Sequence, residues 1–264
     1  MRRRLLALIP MLLLCAAPCT APAGVMVGVS VNIAPPALPV YVQPAIPAPG
    51  YLWVPGYWAW NPQLQDYYWV PGTWVLPPVS GLLWTPGWWG WSGGAYLWHP
   101  GYWGPHVGFY GGVNYGYGYT GHGFHGGYWH GGAFFYNRAV TNFGHAHIVD
   151  NYVQPVPHAR PRGASFNGGP GGIRARPTAA DRLALRDHHV DYAPGQRQHE
   201  LAAAGRPQLR ASVNRGHPAM AAVARAGEFS HAARTQRAHP QAHAPERHAQ
   251  SHGGGQHPQH HPQR

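Results

Sequence analysis

Tyr51-Leu-Trp-Val-Pro-Gly-Tyr-Trp58, Tyr67-Tyr-Trp-Val-Pro-Gly-Thr-Trp74, Leu82-Leu-Trp-Thr-Pro-Gly-Trp-Trp89 and Tyr96-Leu-Trp-His-Pro-Gly-Tyr-Trp103 state one pattern four times, W-x-P-G-x-W. The residues that define it are Trp53, Pro55, Gly56, Trp58; Trp69, Pro71, Gly72, Trp74; Trp84, Pro86, Gly87, Trp89; and Trp98, Pro100, Gly101, Trp103. Pro-Gly suits the centre of a type II turn, because Pro holds a negative φ and Gly accepts the positive φ that follows. Such a turn would make Trp53 and Trp58 direct cross-strand neighbours. Hairpins, however, prefer the mirror-image turns whose twist matches their strands. Pro-Gly is equally readable as a kink inside one longer strand, and both readings stand at this level.

Under either reading the flanks alternate with a period of two, the strand signature. One face then carries Tyr51, Trp53, Trp58, Trp60, Tyr67, Trp69, Trp74, Leu76, Leu82, Trp84, Trp89, Trp91, Tyr96, Trp98 and Trp103; the other carries Leu52, Val54, Tyr57, Ala59, Tyr68, Val70, Thr73 and Val75. Linkers at Asn61 to Asp66, Pro77 to Gly81 and Ser92 to Ala95 separate the units. The expected architecture is a small all-β meander of short antiparallel strands over 51–105. Its indole wall is either core, since aromatic pairs add stability beyond the area they bury, or a platform for sugar rings. Trp60, Trp88 and Trp91 lie outside the repeated Trp pairs and are the candidates for ligand stacking.

The four units resemble the YXWGXW (WXXGXW) repeat family of exported proteobacterial proteins, and Ser165-Phe-Asn-Gly-Gly-Pro-Gly-Gly-Ile-Arg-Ala-Arg-Pro-Thr178 is similar to a segment found downstream of such repeats. The resemblance implies an exported envelope protein, sometimes a small lipoprotein, without an assigned biochemical role.

The N-terminus agrees with export. Arg2, Arg3 and Arg4 precede an apolar run from Leu5 to Ala17 and then Ala21-Pro22-Ala23, the layout of a secretory signal peptide over 1–23 cleaved after Ala23. The run is too short to span a bilayer, so the mature chain is expected to have no transmembrane helix. Leu14 before Cys15 and Pro18 before Cys19 are not the small residues that lipid modification of a Cys requires, which argues against a lipoprotein. With both cysteines removed, the mature chain can form no disulfide. The expected location is the periplasm or cell surface.

Outward from the repeat, composition changes sharply. Gly and Pro number 36 and 29 of 264 residues, about a quarter of the chain and at the edge of low complexity. Residues 24–50 read as a Pro-rich lead-in. Residues 106–155 mix Gly, Tyr and His as a partly ordered extension, with Ala139 to Phe143 as a candidate extra strand. His122, His125, His145 and His147 could bind metal weakly, but the segment offers no Cys and one nearby carboxylate, Asp150, so no metal site and no cofactor is expected. Residues 156–264 are rich in Arg, His, Ala and Pro, too poor in bulky apolar groups to form their own core. They read as a largely disordered basic tail with short helical stretches: Thr178 and Asp181 form a capping box before Arg182 to Arg186, and Ala219 to Ala226 is a second marginal helix.

Between Gly24 and Asn137 the only formally charged side chain is Asp66. Catalysis needs a positioned acid, base or nucleophile. Ser92, His99 and Asp66 carry no nucleophile-elbow or oxyanion motif, and paired carboxylates for glycoside hydrolysis are absent from the repeat. A non-catalytic protein is therefore expected. The cationic tail suits peripheral contact with an anionic surface, while export and the separation of Arg from Trp argue against nucleic acid. The resulting reading is a structural or interaction module of the cell envelope, with envelope polysaccharide, peptidoglycan or another envelope protein as partner. Glycan binding by exposed Trp is the alternative, and histidine-mediated metal binding a more remote one.

Overall fold

The computed structural model describes residues 29–158, 160–161, 163–230 and 233–234. Residues 1–28, which include the stretch read as a signal peptide, and residues 235–264 lie outside this range. The lead-in contributes β1 (Ser30–Val31). The repeat then forms eight strands: β2 (Leu52–Val54), β3 (Tyr57–Asn61), β4 (Asp66–Val70), β5 (Gly72–Val75), β6 (Leu83–Thr85), β7 (Trp88–Ser92), β8 (Ala95–His99) and β9 (Tyr102–Gly104). These are the short strands expected, and the linkers fall where the alternation lapses.

Their pairing decides between the two readings of Pro-Gly. β2 pairs antiparallel with β5, Trp53 opposite Trp74, and β3 pairs with β4, Trp58 opposite Trp69. Trp53 and Trp58 are not cross-strand partners. The register continues unbroken past Pro-Gly, since Val54 faces Thr73 and Tyr57 faces Val70. Residues 52–75 are thus one long hairpin, bent where Pro55-Gly56 lies opposite Pro71-Gly72. The second hairpin repeats the plan, with Trp84 opposite Trp103 in β6–β9 and Trp89 opposite Trp98 in β7–β8. The type II turn fails for a steric reason. None of the four repeat glycines adopts a positive φ; each is needed because two backbones and an indole meet there. A Cβ on Gly56 would lie 2.4 Å from Cζ2 of Trp69 and 2.8 Å from the backbone nitrogen of Gly72, and one on Gly72 would lie 2.6 Å from Cζ2 of Trp53. The first Trp of each unit covers the glycine of its partner unit, which explains why both residues recur.

Packing consumes the indole wall. Seven of the eight repeat Trp residues are at most 2% exposed; Trp98 alone is half-buried. Each opposed pair has ring centroids 5.2–5.3 Å apart in tilted or edge-on contact, the favoured geometry for aromatic quadrupoles. The opposite face is covered too: Leu52, Val54, Tyr57, Ala59, Tyr68, Val70, Thr73 and Val75 are all buried. Among the described residues no single-layer sheet leaves an aromatic face open.

The segments flanking the repeat supply the cover. The lead-in lies across the first hairpin, where the carbonyls of Ala37 and Pro44 accept from the indole N–H groups of Trp58 and Trp74 at 3.1 and 2.9 Å. Prolines donate nothing from their backbone, so a Pro-rich strap presents free carbonyls to buried donors. The Gly/Tyr segment forms β10 (Asn114–Gly116), β11 (Tyr119–Thr120), β12 (Gly127–His130) and β13 (Ala133–Asn137), and the three-stranded sheet β12–β13 is completed by β14 (Asn151–Tyr152). Its tyrosines enter the core. The Tyr119 hydroxyl lies 3.0 Å from the carbonyl of Trp84 and 3.4 Å from that of Trp53, equivalent positions of the two hairpins. Ala139 and Val140 form a turn rather than the extra strand expected there.

The largest departure from expectation follows residue 156. β15 (Phe166–Asn167) adds parallel to β7, and β16 (Ala222–Arg225) adds parallel to β5. Between them lie α1 (Ala179–Ala184), α2 (Pro194–Ala204) and α3 (Ala211–Asn214). The capping box is formed, with Thr178 Oγ1 accepting from the Asp181 backbone at 3.1 Å. Ala219 to Ala226, expected to be helical, instead contains β16. Ala221, Ala222 and Val223 are fully buried. This part of the tail lacks bulky side chains, but it needs none: small residues bring its backbone flush against an aromatic surface the repeat has already built. No helix among the described residues is long and apolar enough to cross a membrane.

Candidate aromatic cleft

The cleft lies between the outer half of the second hairpin and the helical segment. It has a volume of about 970 Å³, at the upper end for small-ligand sites. Its aromatic lining is Trp88, Trp98, Tyr102, Phe109 and Tyr192. Strand alternation turns Trp88 away from the core side occupied by Trp89, and Trp98 stands next to the bend at Pro100-Gly101. Three of these rings are backed by another planar group. Trp88 stacks on His99 at 4.0 Å and 9°, Tyr102 on His189 at 3.7 Å and 21°, and Trp98 on Tyr57 at 5.2 Å and 19°. Stacking fixes ring orientation before any ligand arrives.

Helix α2 supplies the polar side. Pro194 at its start, and Gln196 reaching back to the Ala193 backbone at 2.8 Å, set where it begins. The same Gln196 oxygen accepts from the Trp103 indole at 2.7 Å, tying the helix to the repeat. One turn on, His199 Nε2 donates to the Pro71 carbonyl at 2.8 Å and Nδ1 accepts from the Gly227 backbone at 3.0 Å. This anchored helix presents Arg197 and Glu200 to the cleft, with Asp191 and Asn167 on the other polar edges. Arg197 pairs with Asp191. Burial pushes the Glu200 carboxyl above the usual carboxylate range, opposed by the Tyr57 hydroxyl, the Arg197 charge and the Tyr68 hydroxyl. Burial also lowers the pKa of His99, favouring its neutral form. The cleft therefore sets one guanidinium against two carboxyls, with the guanidinium already paired.

The sequence-level candidates fall unevenly around this site. Trp88 lines the cleft. Trp60 is half-buried in edge-on contact with Tyr67 at 4.9 Å, and Trp91 is half-buried beside Tyr96 at 4.7 Å. A Cβ on Gly169 would meet the Trp91 ring at 2.7 Å, so the downstream glycine segment covers that indole. Neither Trp60 nor Trp91 lines the cleft. Among the histidines, His122 contacts Asp181 at 3.1 Å, whereas His125, His145 and His147 are exposed. Among the described residues no group of three or more His, Cys, Asp or Glu is placed to hold a metal ion. Tyr192, Asp191, Arg197 and Glu200 were hidden from sequence reasoning, because they lie in the segment read as tail. The Pro-Gly-Gln-Arg-Gln-His-Glu run after Ala193, with Pro at the first helical position, was the available signal.

No curated protein and no solved structure matches the chain. The family model of the WXXGXW repeat matches it twice, at residues 49–75 and 80–103. Each match spans two of the four W-x-P-G-x-W units and corresponds to one bent hairpin. The chain carries the WXXGXW repeat in two copies, each copy a closed structural unit in which two W-x-P-G-x-W motifs complete one another.

Proposed function

We propose that this protein is an exported, non-catalytic interaction module of the cell envelope, in which the Trp repeat is the scaffold and the aromatic cleft is the contact point for a partner. One observation carries the reading: seven of eight repeat indoles are spent on the core, while the eighth, Trp98, joins Trp88, Tyr102, Phe109 and Tyr192 in a cleft with its own polar edge. Scaffold and contact surface are thus largely separate residue sets that meet at Trp98. Export is supported by the charged, apolar and small-residue succession over residues 1–23. A non-catalytic role is supported by the cleft chemistry, since Asp191 is paired with Arg197 and Glu200 sits among tyrosine hydroxyls.

The test is to express the full chain and its Arg197→Glu variant, determine the mature N-terminus by intact mass, and measure retention in washed envelopes at rising salt. The expected result is cleavage after Ala23, retention of the parent in moderate salt, and release of the variant. A parent protein found in the cytosol, or a variant retained like the parent, would overturn the proposal.

A further inference from the structure

We infer that the cleft recognises an uncharged, hydroxyl-rich ring, and thus a pyranose unit of a neutral glycan; this rests on the cleft being the contact point proposed above. The argument begins with what the lining excludes. A polyanion would face two carboxyls, Asp191 and Glu200, and a guanidinium already engaged by Asp191. A simple cation would find Asp191 neutralised and the Glu200 carboxyl biased by burial toward its uncharged form. A purely apolar ligand would cut off from water the hydrogen-bonding capacity that Arg197, Asp191 and Glu200 keep beyond their existing partners, a costly arrangement.

A sugar ring satisfies both parts of the lining. Its axial C–H groups form flat apolar patches that pack on indole and phenol faces, and its equatorial hydroxyls both donate and accept. Carboxyl oxygens take those protons, and the guanidinium N–H groups of Arg197 beyond its pair with Asp191 supply the return bonds. Trp98, Tyr102 and Tyr192 offer the rings, and the first two are held by stacking on Tyr57 and His189. Tyr192 packs edge-on against Trp84 at 5.1 Å. A pre-oriented site loses little side-chain entropy on binding. The cleft has room for more than one ring, which favours a short run of a chain over a free monosaccharide.

Calorimetric titration of the full chain with chitotetraose, cellotetraose and maltotetraose tests the inference. At least one of them is expected to bind saturably, with affinity that persists in moderate salt because no net charge is exchanged. Glu200→Gln and Asp191→Asn keep side-chain shape while altering the acceptors, and each should weaken binding by about tenfold. Tyr128→Phe, at an exposed residue of β12 outside the cleft lining, serves as the control and is expected to bind within about threefold of the parent. Absence of saturable heat with all three sugars, or binding indifferent to both acidic substitutions, would overturn the sugar assignment. If Arg197→Glu still abolishes envelope retention in that case, the interaction module stands and only its ligand class falls.

Discussion

A β-carbon on Gly101 would come to 2.4 Å from Cζ2 of Trp84 and 2.8 Å from the backbone nitrogen of Gly87. Neither neighbour can yield, because Trp84 is 2% exposed and the other atom is main chain. Gly101→Ala is therefore expected to lower stability by about 3 kcal/mol or more. Gly93→Ala gives the contrast: that residue has φ of +58° and open space around it, so the strain alone should cost about 1 kcal/mol. Urea unfolding midpoints of the two variants check this, and equal losses would refute the close crossing. The recurrence of glycine was visible in the sequence, but its reason was not. Turn chemistry and close approach both demand glycine, and only coordinates separate them. His199 provides a second test at this scale. Burial lowers its pKa below the ordinary 6.5, with the Pro71 carbonyl opposing that shift and Arg206 adding to it. The unfolded chain thus takes up a proton first as pH falls. The His199 contribution to stability should be complete above about pH 6.5, decline below it, and level off once the folded form protonates as well. The difference in unfolding midpoint between the parent and His199→Gln, followed from pH 8 to 5, should narrow on acidification. A constant difference would remove His199 from the pH response.

The bent hairpin is the repeating element, and it holds two copies of the six-residue motif. Alternation and linkers placed its strands correctly, since both are local properties of the chain. The pairing was not local: Trp53 meets Trp74, not Trp58. Helix α2 shows how one element couples two functions, holding the scaffold through Gln196 and lining the cleft through Arg197 and Glu200. Gln196→Leu conserves bulk but strips the acceptor shared by the Trp103 indole and the Ala193 backbone. Leaving these donors buried without a partner should cost about 2 to 4 kcal/mol. Thermal unfolding followed by near-ultraviolet circular dichroism measures it, and a loss under about 1 kcal/mol would show that the helix is held elsewhere.

Across the whole molecule, residues far apart in the chain complete one another's cores. The Trp69 indole donates to the Ala221 carbonyl at 3.0 Å across 152 positions, and β16 and β15 extend the sheets of the two hairpins. A chain ended at residue 155 loses both strands and α2. It should unfold without a sharp transition and emit tryptophan fluorescence at longer wavelength than the full chain; a cooperative, blue-emitting fragment would show that the repeat folds independently. By itself the sequence determined the strands, the linkers, the recurrence of Trp, Pro and Gly, and the capping box at Thr178, because periodicity, backbone preference and capping act over a few residues. Tertiary structure alone decided which Trp faces which, that both sheet faces are covered, that a basic segment poor in bulky residues joins the core, and that Trp98, Tyr192, Arg197 and Glu200 share one cleft. Those outcomes depend on contacts between distant segments, where a small residue gains order from a surface that another part of the chain has already formed.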